Sequence, residues 1–366
     1  MIERLRDRRV IVCAGAGGVG KTTTAAALAL GLAVEGRRVA VITIDPARRL
    51  TDALGAELGN EPRRIDPERL AGHGVDVTGE LWAMTLDPRQ TFDDLIAQLA
   101  TDERTRDNVL GNRIYQQVAG AVAGAQEYTA IAKLYELDRD GGFDAIVLDT
   151  PPSRSALDFL DAPERLTAFL DSQLMRAFVA PSGLVSRIAA RGSGAVLAVL
   201  TRVTGSALID DLRAFFASVG SLSDGFRERA DAVGALLADD ATAFVVVSST
   251  EREPVAEAIH FGRALTERGL PFAGLVVNRM HVAAADRIDI QDEALARKVA
   301  RTVAEVNLLA ERDATALARL AQELGDEHPA VIPHLDTDVH DLDGLVAVHK
   351  HLAVPAPRRA RRGRKR

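Results

Sequence analysis

Residues 15–22 read Gly15-Ala16-Gly17-Gly18-Val19-Gly20-Lys21-Thr22, which satisfies G-x-x-x-x-G-K-[ST] at every defined position. The chemistry such a string can do is the binding of a polyphosphate. Its glycines let successive backbone N–H groups turn inward around phosphate oxygens. Lys21 brings a point charge to the β- and γ-phosphates, and the Thr22 hydroxyl is a ligand for Mg²⁺. Thr23 joins the candidate binding set as the next residue of the helix that the loop opens. That helix adds the partial positive charge of its N-terminus.

Further polar groups fall where a nucleotide hydrolase needs them. Asp45, in "TIDPARRL", and Asp149, in "IVLDTPPS", each follow an apolar run. Each is therefore expected at the carboxyl end of a buried strand, where doubly wound sheets open their ligand crevice. Asp149 reads as the carboxylate that holds Mg²⁺ through water. Asp45 reads as the group that orients or deprotonates the attacking water. Singly, either aspartate has a plainer role as a turn or cap residue; beside a full phosphate loop the catalytic role is favoured. In "VVNR", Asn278 and Arg279 also end an apolar run. The Asn278 amide carries a donor and an acceptor, as reading a purine edge requires, with a turn residue as the plain alternative.

The elements that must hold these groups are short apolar runs alternating with helical patterns. Strands are expected at 10–15, 38–45, 81–86, 143–149, 242–249, 272–278 and 330–335. Near-continuous apolar runs imply burial on both faces, as in a parallel sheet. Helical crossovers such as Lys21 to Glu35 and Glu253 to Arg268 connect them. Two intervals, about 87–142 and 150–241, exceed what a crossover needs and read as mainly helical, with Leu170, Leu174 and Phe178 on one stripe. The predicted fold is α/β: a doubly wound, mainly parallel sheet with a phosphate loop and an inserted helical subdomain. The expected organisation is one domain over 1–352, with the subdomain formed by about 88–140 and 153–238, and a basic, disordered tail over 353–366.

With 47% hydrophobic and 27% charged residues, the chain can bury a large core. Its single cysteine, Cys13, excludes an internal disulfide and a multi-cysteine metal site. No secretory signal or membrane-spanning run is evident, so a cytoplasmic protein is expected, with a peripheral membrane position as an option. The tail "PAPRRARRGRKR" carries seven basic residues; without it the formal net charge of −7 doubles to −14. The tail reads as a solvated end, with contact to acidic phospholipid as the alternative; nucleic acid is not expected as a partner of so acidic a body.

The set resembles the arsenite-pump and tail-anchored-protein-targeting ATPases, a branch of the phosphate-loop group that includes the cell-division and plasmid-partition ATPases. "DPARRLTDAL" resembles the family's second-strand motif, "DTPPS" its aspartate-threonine-x-proline motif, Val276-Val277-Asn278 its base-reading strand end, and "AGAQEYTAIAKL" the segment before the later motif. The order is kept over 8 to 352, and the likeness is nearest to the actinobacterial type with alanine at the signature-lysine position. The resemblance implies Mg²⁺-dependent hydrolysis of ATP, coupled to opening and closing of a dimer and to a hydrophobic or membrane-protein client. It makes Asp45 and Lys21 the catalytic candidates and Thr22 and Asp149 those for the metal.

Departures from the family pattern carry their own implications. In the family a lysine at the position of Ala16 reaches across the dimer to the partner's phosphates. Its absence here leaves three possibilities: a heterodimer with a lysine-bearing paralogue, a substitute charge from Arg48 or Arg49, or an ATP-binding subunit with weak hydrolysis. The glycines flanking Ala16 suggest room for a longer side chain. The zinc held by a cysteine pair in the eukaryotic targeting branch is not expected with Cys13 alone, nor is a thiol site for arsenite. Arg154 and Ser155 replace the glycine and histidine usual after the later motif. A client groove would draw on Leu174, Met175, Phe178, Val179, Leu184, Val196, Leu197 and Leu200, although an ordinary helical core reads equally well.

Overall fold

The computed structural model describes residues 1–44, 47–118, 125–151, 157–171, 206–284 and 291–354. The expected groove residues from Leu174 to Leu200, together with Arg154, Ser155 and the basic tail, lie outside them. Two compact units form: Met1–Thr85 with Asp140–Ala156 and Ala238–Arg366, and Leu86–Arg139 with Leu157–Leu237.

The first unit is built on an eight-stranded sheet. The strands are β1 (Val10–Ala14), β2 (Arg38–Thr43), β3 (Arg63–Arg64), β4 (Glu80–Thr85), β5 (Ala145–Asp149), β6 (Thr242–Ser248), β7 (Phe272–Met280) and β8 (Ala330–Pro333). Their order across the sheet is β3-β4-β2-β5-β1-β6-β7-β8. Every pairing is parallel except β3 with β4. β1, β5 and β6 are buried along their whole length, as near-continuous apolar sequence requires of strands covered on both faces. The seven expected strands are all present. The eighth, β3, gives no apolar signal: it is two exposed arginines on an edge, where charge discourages further pairing.

The helices of this unit are α1 (Ile2–Leu5), α2 (Lys21–Val34), α3 (Arg49–Leu54), α4 (Pro67–Gly72), α12 (Arg252–Glu267), α13 (Glu293–Leu324) and α14 (Leu342–Ala353), numbered in chain order with those of the second unit. α2 is rich in Ala and Leu, and only Thr23 and Val34 escape burial. A helix apolar all round must be enclosed, and α2 is, by β2, β5 and α14. Its first turn is thereby fixed at the carboxyl edge of the sheet. The 32-residue α13 has no counterpart in the expectations above; Asp292 caps it, accepting from the amides of Ala294 and Leu295.

The second unit is helical throughout its described residues. It comprises α5 (Pro88–Leu99), α6 (Glu103–Leu110), α7 (Arg113–Val118), α8 (Ala125–Asp140), α9 (Leu157–Leu170), α10 (Ser206–Ser221) and α11 (Ser223–Ala238). Asp87 and Asp102 cap α5 and α6. Phe92 stacks between Tyr115 and Phe226, with ring centroids 6.3 and 6.1 Å away, so aromatic packing joins α5, α7 and α11.

One ion pair in the first unit does more than decorate a surface. Asp326, just past α13, is 5% exposed and takes a bidentate grip from Arg4 of α1 at 2.9–3.0 Å. It also accepts from the amides of Leu275 in β7 and His328. Burial alone would raise its pKa, but Arg4 and the two amides outweigh that and hold it below the usual carboxylate range. A depressed carboxylate stabilises the fold above its unfolded pKa and loses that contribution as pH falls through the folded one. Asp326→Ala is expected to cost about 2–3 kcal/mol at neutral pH, since Arg4 and two amides lose a charged acceptor. On acidification from about pH 5 to about pH 3, wild type should lose more stability than the variant. Urea denaturation across that range measures both effects; curves that stay parallel would remove Asp326 from the ledger.

Candidate functional site

The phosphate loop leaves β1 at the place where the chain reverses its direction of progress across the sheet, with β5 on one side of β1 and β6 on the other. Ligands of open α/β sheets bind at such a switch point. Two glycines are demanded by what surrounds the loop. A Cβ on Gly15 would run into the carbonyl oxygen of Val247 in β6. Gly20 has φ +94° and faces the Asn278 amide nitrogen, so a side chain there is excluded by both conformation and space. Around Gly17 and Gly18, by contrast, a Cβ would meet nothing within 4 Å. Open space thus adjoins Gly17 and Gly18 and not Gly15. Ala16 itself is 5% exposed and its methyl belongs to the hydrophobic core.

Lys21 is 7% exposed, and its ammonium donates to the carbonyls of Gly15 at 3.0 Å and Ala16 at 2.9 Å. These bonds hold the charge over the loop. Asp149, at the end of β5, is 1% exposed; its Oδ2 accepts from the Thr22 hydroxyl at 2.5 Å and the Thr43 hydroxyl at 2.8 Å. Thr22 opens α2 and Thr43 ends β2, so three elements meet at one carboxylate oxygen. The donor set fits Mg²⁺: a hydroxyl and a carboxylate, both hard oxygens, adjacent and at the phosphate end of the loop. Thr43 was not foreseen; a hydroxyl at the end of a strand next to the one bearing Asp149 is the signal that marks it. Cys13 lies one residue before the end of β1. Burial, with Asp149 second, pushes its thiol far above the normal range, which leaves it unreactive.

A cleft of about 420 Å³ gathers Gly18, Gly20, Lys21, Thr22, Thr23, Asp149, Asn278 and Arg279, all singled out from sequence. Gly15, Ala16, Gly17 and Val19 complete the loop beneath it. Asp45 lies outside the described residues. Asn278 is not at a strand end, because β7 runs on to Met280. Its amide donates to the Val19 carbonyl and accepts from the Arg279 amide, both at 2.9 Å, so it clasps the phosphate loop as well as lining the cleft. Arg49 also lines the cleft, while its neighbour Arg48 caps α3 with a left-handed backbone, φ 54°. Arg279 is left-handed too, φ 56°. Such conformations cost about 1–3 kcal/mol each and gather at functional sites.

The largest part of the cleft wall that motifs did not reveal is Pro333, which ends β8, and the segment after it, with His334, Leu335, Thr337, Asp338, Val339 and His340. It has no phosphate-binding pattern. Its one legible signal is its place after a parallel strand, on the side where loops carry ligand groups.

A parallel sheet with this loop at its switch point and a buried Thr–Asp pair beside it defines a phosphate-loop nucleotide hydrolase. Comparison with known sequences narrows the class. The chain belongs to the anion-transporting ATPase family, whose sequence model matches residues 8–306, and it is an ATPase. It is similar to "ATPase get3" of Aspergillus terreus, 31% identical over 285 residues that cover 76% of this chain and 75% of that one. It is also similar to "ATPase GET3" of Ajellomyces dermatitidis, 30% identical over 288 residues and 76% of each chain. The match to "ATPase get3" of Neurospora crassa is 35% identical but spans only 44% of either protein.

Replacing Lys21 by alanine should abolish ATP binding, because it removes the ammonium that the loop carbonyls aim into the cleft. Equilibrium titration with Mg-ATP reads this directly, and undiminished affinity would refute the role given to the loop.

Proposed function

We propose that this ATPase binds Mg-ATP with its γ-phosphate at Lys21 and the loop amides, and that its work is done as a dimer whose opening and closing is driven by hydrolysis. The carrying observation is the buried meeting of Thr22, Thr43 and Asp149 at the foot of the phosphate loop. Thr22 would hold Mg²⁺ directly and Asp149 through water; bound there, the metal would supply charge neutralisation for phosphoryl transfer. Lys21 and the loop amides stabilise the same charge from the protein side. Asp45 orients the attacking water or takes its proton. The base of the nucleotide lies toward Asn278 and Arg279.

The similarity to GET3 ATPases supports a hydrophobic or membrane-protein client carried by the helical unit. The reading keeps one domain over 1–352 with that unit as its insertion. No helix of the described residues is long and apolar enough to cross a membrane. Independently of that, we place its action in the cytoplasm, with the basic tail as the candidate contact to acidic phospholipid. A zinc site between subunits is not part of the proposal, since the sole cysteine is enclosed in β1.

Ala16 favours a second reading: an ATP-binding subunit that hydrolyses slowly until paired with a lysine-bearing paralogue. The methyl group sits in the core and carries no charge toward a partner. Arg49, which lines the cleft, is the local residue able to substitute.

Two variants test this. Asp45→Asn should leave ATP bound but slow turnover in whichever complex is active, because an amide cannot take the water's proton. Turnover at the wild-type rate would reduce Asp45 to a structural residue. Ala16→Lys should raise the rate of the isolated protein by up to about a hundredfold, if a cross-dimer cation is what it lacks. The new side chain must leave the core that the alanine methyl occupies. A saturating rate that does not move, in a variant shown by light scattering to dimerise, would assign the missing charge to Arg49 or make the chain a binding subunit.

A further inference from the structure

Alone among the residues of β7, Arg279 has a positive φ, 56°. A side chain is strained there, and such a conformation persists only where its surroundings enforce it. The pairing of β7 with β8 is interrupted at this point: Val277 lies opposite Val331, the register shifts, and pairing resumes at Met280 with Pro333. On the amino side of the turn, Asn278 is buried and accepts from the Arg279 amide at 2.9 Å. Its Nδ2 donates to the Val19 carbonyl at 2.9 Å. It packs so closely on the phosphate loop that a Cβ on Gly20 would run into it. The direction in which Asn278 points is therefore coupled to the backbone of Arg279.

On the carboxyl side of the turn the chain is tied to α13. Asp313, in the middle of that helix, is 0% exposed. Its Oδ2 accepts from the backbone amide of His281 at 2.9 Å and pairs with His281 Nδ1 at 2.8 Å. Arg312 donates to Oδ1 at 3.0 and 3.2 Å, and the Thr250 hydroxyl, just past β6, adds a further bond. A carboxylate without solvent is costly unless its lone pairs are used. Burial would raise the pKa of Asp313, yet these bonds lower it to about 2. The group is ionised at any working pH, and its bonds are charge-assisted. The His334 amide also donates to the Met280 carbonyl at 2.9 Å. Met280 and His281 are thus fixed on one side and Asn278 on the other, with the strained residue between them.

We propose that Asp313 is a positioning residue for phosphate binding: by anchoring His281 it enforces the left-handed turn at Arg279, and that turn keeps Asn278 on the phosphate loop. Among the described residues Asp313 makes no bond to the loop itself, so its effect on phosphate passes through the β7 backbone. The inference rests on the proposed placement of the phosphates at the loop.

The test is a double-mutant cycle on the full chain, titrated at equilibrium with Mg-ATP and with inorganic triphosphate plus Mg²⁺, which offers Asn278 no base. Asp313→Asn should weaken both ligands by about tenfold, because the carboxamide leaves a donor unpaired and the turn relaxes. Arg279→Gly removes the strain, since glycine takes a positive φ without steric cost. In that background Asp313→Asn should change either affinity by no more than about twofold. The same loss in both backgrounds would mark general damage to the fold and overturn the proposal. A loss for ATP alone would place the effect on the base and overturn it too, as would unchanged affinity in the single variant. If Asp313→Asn does not fold, His281→Ala takes its place in the cycle, with a loss of about threefold that Arg279→Gly again suppresses. A crystal structure of the unliganded Asp313→Asn chain, or of His281→Ala in its stead, reads the anchoring without a ligand. The bond from Asn278 to Val19 should be broken and the φ of Arg279 negative; both features retained would overturn the proposal. Wild-type protein that binds neither ligand overturns the nucleotide placement, and the crystal structure then decides the anchoring alone.

Discussion

Everything at the site depends on how tightly the β1–α2 turn is boxed in. Gly15 lies against the Val247 carbonyl of β6, and Gly20 lies against the Asn278 amide of β7. A loop of backbone N–H groups binds phosphate well only if it does not have to be rearranged to do so. Here neighbouring strands supply the rigidity from one side. Asn278 supplies it again from above, through the Val19 carbonyl. The enclosure of α2 supplies it from the other side: a helix buried all round cannot rotate to carry Lys21 and Thr22 away from the sheet edge. The steric box and the buried helix are two parts of one constraint.

Charge follows the same geometry. Asp149 is taken out of water beside the loop, and two hydroxyls from different elements meet its Oδ2. That concentrates hard oxygens at the foot of the phosphate loop. The rest of the cleft wall comes from the ends of β7 and β8 and the segment that follows β8, brought there by strand order and not by covalent proximity.

The phosphate end was legible in the sequence because its requirements are local. Glycine spacing, a lysine and a threonine in register, and an aspartate closing an apolar run are properties of a few consecutive residues. Seven strands were legible for a related reason: a strand buried on both faces must be apolar along its length, and β1, β5 and β6 are. β3 was not, since two arginines on an edge carry no such pattern. The placement of Asn278 was half right. A purine-reading residue at a strand end was expected; it lines the cleft, but β7 continues past it by two residues, because β8 pairs with Met280 and extends it, and its clasp on Val19 was not expected.

By itself the sequence determined the class of chemistry, the α/β alternation and the place of the phosphate-loop motif between β1 and α2. Each of these follows from residue type at fixed spacing along the chain. Tertiary structure alone decided that Thr43 shares Asp149 with Thr22, that Asn278 clasps Val19, that the Ala16 methyl packs in the core, and that the segment after β8 walls the cleft. Those contacts join residues up to 259 positions apart in the chain. They exist only because the strand order β2-β5-β1-β6-β7-β8 brings the carboxyl ends of six parallel strands side by side. Strand order depends on which crossovers pack on which face, a balance summed over the whole core and not written in any short stretch of residues.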